Sequence, residues 1–245
     1  MSVEARDRAG ESHLFRGNGP RPYPPDGHPG GVEGIPGRSL AEAIDFFRHR
    51  HGLAFDIPDQ PVTDVGKLAG LVQQAEIGLL DTIDLCEAAS ADDADLFCLP
   101  DAPPQSRLPF LRGQPRTGSR ADKLPKNQAG QADLSLLFQH HLAAQGHEIQ
   151  RVQLPASRLR PVKLRLDAYD LANVKDAITS GAYPPADLLA AATNYLLDGH
   201  HRFAIAVGLT GGDVNLSVLR VDLPVLEALL NMQEFGTHYG LEEPE

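Results

Sequence analysis

The stretch that decides the fold is "NYLLDGHHRFAIAVG", Asn194 to Gly208. Three residues of strand character run into an acid and a glycine, and two histidines and an arginine then open a helical pattern. An apolar run, a glycine and then helical periodicity is how a strand hands over to a helix in a mixed α/β unit. The start of such a helix exposes unpaired N–H groups and the positive end of its dipole. Gly199 permits close approach to the backbone there, and His200, His201 and Arg202 crowd donors around it. That suits an anion, and phosphate above all, since the arginine fork matches its oxygens. Asp198 complicates a purely anionic reading. It either caps the helix or pairs with Arg202, or it ligates a magnesium ion or accepts a proton.

Working outward, residues 132–245 read as one small mixed-sheet domain. Asp133 caps a helix carrying Leu134, Leu137, Phe138 and Leu142, and "RVQL" (151–154) and "PVKLRL" (161–166) read as strands. Asp170 is read as the cap of a helix with Leu171, Val174 and Ile178. "ADLLAAATNYLLD" reads as two strands around Thr193-Asn194, followed by the Gly199 helix, a strand in "DVNLSVLRVD" and a last helix after Pro224. Upstream, residues 1–38 are a Gly/Pro-rich arm, 39–99 a helical accessory region and 100–131 a linker. The accessory helices are placed from the capping box Ser39/Glu42 and from about Asp64 to Ala89, with Gly78 as a break. The fold class is α+β, with a mainly helical N-terminal region.

The net charge of −11 argues against nucleic acid as the default partner. Arg107–Lys126 holds six basic residues and one acid, and Arg151–Arg165 five and none. The second run brings Arg158, Arg160 and Lys163 forward as phosphate contacts. The histidine spacings do not form a zinc set, and the Gly-x-Ser-x-Gly elbow of a serine hydrolase is missing. No apolar run has the length of a membrane span. Cys86 and Cys98 suggest neither a CxxC site nor a disulfide framework, so a reducing cytoplasm is the simplest setting.

Residues of about 150–235, and "DGHHR" in particular, resemble the ParB/sulfiredoxin-like superfamily, whose Gly-x-x-Arg at a helix start cradles nucleotide phosphates. The resemblance implies phosphate binding by Gly199, His200, His201 and Arg202. It further implies ATP, ADP or CTP as ligand, with magnesium on Asp198 and a small-molecule acceptor if a phosphoryl group is transferred. Where sulfiredoxins carry their reactive cysteine this chain has His200, and the Gly-Glu-Arg-Arg of partitioning ParB proteins is replaced. The Asp-Gly-His-x-Arg form is nearer to nucleotide-dependent free-serine kinases and ParB-like nucleases. The expected function is therefore nucleotide binding, with phosphotransfer or nucleotide hydrolysis by Asp198, His200 and His201. A DNA-associated regulator or nuclease and a non-catalytic nucleotide sensor are the alternatives.

Overall fold

The structure is a computed structural model. It describes residues 61–90, 96–98, 108–109, 111, 133–181, 186–239 and 241, together with the backbone of two short strands, β1 (Ala5–Arg6) and β2 (Ser12–His13). These two pair antiparallel within the arm. The helix expected after Ser39 and nearly all of the 100–131 linker lie outside the described residues.

Helix α1 (Val65–Glu76) starts where Asp64 accepts a hydrogen bond from the Lys67 N–H at 2.9 Å. It ends before Gly78, which takes φ 74°. The sequence expectation of helix resuming towards Ala89 fails. Gly78 turns the chain, and Thr82–Asp84 become strand β3, followed by a 3-10 turn over Leu85–Ala88. Thr82 and Ile83 are β-branched and favour the pleated conformation. Strand β3 pairs antiparallel with β6 (Arg165–Asp167), so this part of the 39–99 stretch is built into the same fold as the domain downstream.

Helix α2 (Leu134–Ala144) is capped by Asp133, and its expected inward residues Leu134, Leu137, Phe138 and Leu142 are buried. Strand β4 (Ile149–Pro155) follows, then a 3-10 turn (Ala156–Arg158) and β5 (Arg160–Pro161). "PVKLRL" is thus not one strand. Pro161 has no N–H to give a ladder, and the N–H of Lys163 goes to a histidine ring instead, so the chain leaves one sheet after β5 and enters another at β6. Helix α3 (Ala168–Thr179) is capped by Asp167, which accepts from the Tyr169 and Asp170 N–H groups. The expected cap, Asp170, sits inside its first turn. The remaining elements are β7 (Leu188–Ala190), β8 (Tyr195–Asp198), α4 (His200–Thr210), β9 (Asn215–Val221) and α5 (Val225–Tyr239).

The main sheet has the order β4-β9-β7-β8-β5. The β4–β9 and β7–β8 pairs are antiparallel, and the β7–β9 and β5–β8 pairs are parallel. The central strands read "LLA" and "YLLD" rather than alternating because both of their faces are covered. Leu189, Ala191, Tyr195 and Leu197 pack with α2 and α5, while Leu188, Ala190, Leu196 and Val218 pack with α1, α3 and α4. The result is a three-layer α/β/α arrangement in which successive residues of one strand feed two separate cores. Leu108, in the stretch read as linker, is buried in the first core. Cys86 and Cys98 are bonded, with S–S 2.04 Å and Cα–Cα 5.7 Å. This corrects the expectation that they form no disulfide framework and removes its argument for a reducing compartment. Among the described residues no helix is long and apolar enough to cross a membrane.

Candidate functional site

The β8–α4 junction is built as the sequence suggested, with Asp198 ending the strand and Gly199 at the N-cap, φ 94° and ψ 21°. What comes close to Gly199, however, is the protein itself. A Cβ there would lie 2.5 Å from Leu188 Cδ2 and 3.1 Å from an Arg202 nitrogen. The glycine is needed for packing and for its left-handed backbone, and the side where a Cβ would stand faces Leu188 and Arg202.

Arg202 is 16% exposed and Asp198 29%. One Arg202 nitrogen donates to Asp198 Oδ2 at 3.2 Å and another to the carbonyl of Asp187 at 3.1 Å. Asp198 also takes the Ser135 hydroxyl. Burial pushes its carboxyl above the ordinary range, against the pull of Arg202, with Asp133 adding to the rise. A carboxyl held so is a better proton acceptor than an exposed one.

The two histidines part company. His200 turns inward and is 5% exposed. Its Nε2 accepts the Lys163 N–H at 3.1 Å. A backbone hydrogen bond at Leu196 raises its affinity for a proton, which identifies a donation to that carbonyl. Since Nε2 accepts, Nδ1 donates, and both nitrogens of a neutral ring are used. Burial, helped by Lys163, keeps the ring neutral, with its pKa well below the ordinary histidine value. The structure therefore gives His200 a tie between the β5–β6 connection and α4, in place of the expected catalytic and phosphate-binding role.

His201 and Arg202 are neighbours in the first turn of α4, so their side chains diverge by about 100°, and Arg202 is the one that reaches back to Asp198 at the strand end. The His201 Nε2 is buried without a hydrogen-bond partner. Burial first, and the Lys163 charge second, lower its pKa to about 4, with Asp167 opposing. At neutral pH it presents an uncharged ring.

Arg160 does not join this group. Arg160 pairs in register with Tyr195 at the opening of β8, whereas Gly199 follows its far end, about 13 Å away at roughly 3.3 Å per residue. The Arg160 guanidinium lies 5.3 Å from the Tyr195 ring centroid and donates to its hydroxyl at 3.4 Å. Lys163 does come to the α4 start, where its N–H donates to His200.

Sequence reading missed the surrounding acids and Ser135. Asp187 holds Arg202 by its carbonyl while its carboxylate takes Arg151 and Ser217. Nothing in "PPAD" signals that role; Asp133 was read as a helix cap, which it is, but not as a neighbour of Asp198. With Asp133, Asp167, Asp187 and Asp198 against Lys163 and Arg202, the site is not predominantly positive. No cluster of three His, Cys, Asp or Glu fit to hold a metal ion occurs among the described residues. Magnesium is compatible with a single carboxylate, because it is commonly held by one or two plus substrate phosphates and water. No family model matches the chain, and neither does any curated protein or solved structure.

Proposed function

We propose that the protein binds a magnesium nucleotide at the exposed edge of the α4 start, and that phosphotransfer to a small acceptor or nucleotide hydrolysis is its chemistry. The observation that carries this reading is the Asp198–Arg202 pair at the α4 start, with His201 and Lys163 close to each other at the same helix end. Phosphate oxygens take the Arg202 fork and the Lys163 charge. Magnesium takes Asp198, whose release from Arg202 frees the guanidinium for the ligand. The acids nearby then favour a metal-bound nucleotide over a bare anion. Where magnesium does not take it, Asp198, with its raised pKa, is instead the candidate proton acceptor. The resemblance of residues of about 150–235 to the ParB/sulfiredoxin-like superfamily points the same way.

The Asp198–Arg202 pair and the covered face of Gly199 favour a second reading, a non-catalytic nucleotide-sensing module. One experiment separates them. Melting curves with millimolar ATP, ADP or CTP and magnesium are expected to shift upward, by about 2.7 kcal/mol of stabilisation at a hundred times Kd. Arg202→Ala is expected to abolish the shift. Release of phosphate or phosphorylation of an acceptor selects the enzyme, and a shift without turnover selects the sensor. No shift with any of the three nucleotides overturns both.

A further inference from the structure

The Cys86–Cys98 disulfide stands at the edge of the α2–α5 core. Cys86 sits in a firmly held turn. Its N–H is capped by Asp84 at 2.9 Å, the Leu85 N–H donates to the Leu164 carbonyl at 2.7 Å, and Leu85 and Ala88 are buried. Cys98 belongs to a three-residue 3-10 turn, Leu96–Cys98, too short to hold itself by helical hydrogen bonds. The bond to Cys86 fixes one end of that turn to an anchored element. The residue beside it, Phe97, is fully buried and meets Tyr195 edge-on at 5.3 Å between ring centroids.

Tyr195 in turn carries the buried Arg160 and directly follows the Thr193–Asn194 turn. Asn194 is fully buried with φ 62°, and neither atom of its side-chain amide has a partner; nor does the Thr193 hydroxyl. Such groups gain water readily once packing above them loosens. Both cysteines are themselves only partly buried, at the edge of the α2–α5 core, within reach of an attacking thiolate.

We propose that the Cys86–Cys98 bond is a redox latch: it seats Phe97 against Tyr195, and its reduction by a dithiol releases Phe97 and admits water to the buried Thr193–Asn194 turn. In the step, the dithiol gives two electrons and two protons and leaves as its own disulfide. The S–S bond breaks and each cysteine becomes a thiol. The latch is independent of the nucleotide reading.

The full-length protein, purified without reductant, tests it. Native-state maleimide labelling read by mass is expected to add nothing before dithiothreitol and two adducts after. Hydrogen exchange in peptides covering 96–98 and 193–197 is expected to quicken roughly tenfold on reduction, while peptides of α5 keep their protection. Cys86→Ser with Cys98→Ser is expected to behave as the reduced chain and to ignore dithiothreitol. If that variant does not fold, the wild-type comparison still decides. Labelling of both thiols before reduction, resistance to dithiothreitol without denaturant, or unchanged exchange at Tyr195 overturns the latch. So does a loss of protection that extends equally to α5, which would make the bond a global staple.

Discussion

His201 is the residue whose chemistry is most altered by its surroundings. In the unfolded chain it titrates near 6.5, and in the fold near 4. Above pH 6.5 neither state is protonated, and the contribution to stability is fully present. As pH falls from 6.5 towards 4, the unfolded chain takes up a proton that the folded chain refuses, so stability is lost across that window. The full loss is about 3 kcal/mol, and His200, shifted in the same direction, adds to it. Urea denaturation of His201→Gln at several pH values is expected to show a shallower decline than the wild type over this range; an unchanged slope would assign the whole effect to other groups. Gly199 offers a second test at this scale. Gly199→Ala places a Cβ 2.5 Å from Leu188 Cδ2 on a backbone at φ 94°. It is expected to cost about 1–3 kcal/mol in chemical denaturation, whether or not a ligand ever binds.

Among elements, α1 packs tightly on α4. Gly208 lies against Val72, and a Cβ at Gly208 would stand 2.4 Å from Val72 Cγ1. Gly208→Ala is expected to destabilise by about 1–3 kcal/mol. Because Val72→Ala removes the obstructing methyl groups, the double variant is expected to lose less than the sum of the two singles, a coupling that a double-mutant cycle reads directly. The sequence announced α2, β4, β7, β8, α4, β9 and α5 well, since their caps and apolar runs are local signals. It misled wherever a choice depended on a distant partner. Thr82–Asp84 became a strand because β6 lies alongside, and "PVKLRL" divided because the N–H of Lys163 was claimed by a histidine 37 positions away. Asp167 rather than Asp170 caps α3, a three-residue displacement within an acid-rich run that both side chains could have satisfied.

Across the whole molecule, one sheet serves two cores. Leu68 and Leu229 are both fully buried, but in opposite layers. Leu68→Ala and Leu229→Ala are each expected to cost about 2–5 kcal/mol. Combined, they should add within about 0.5 kcal/mol in a single cooperative transition, as independent sites do. A marked departure from additivity would mean that the two layers communicate through β7 and β8. At this scale too the candidate site was half legible. Asp198 and Arg202 stand together because they flank one strand-to-helix turn, four residues apart. Arg160 joins them in the sequence on charge, and strand register, which sequence does not encode locally, sends it to the opposite end of β8.

Asp187 has a reach greater than its size suggests. Its carboxylate moors Arg151 on the outermost strand and Ser217 on the next, and its carbonyl steadies the arginine of α4. Pulling that arginine outward tugs on a knot shared by the rim of the sheet. If the proposed ligand draws that arginine away, the disturbance should travel to Arg151–Gln153, where slackened amides would report on a visitor they never touch.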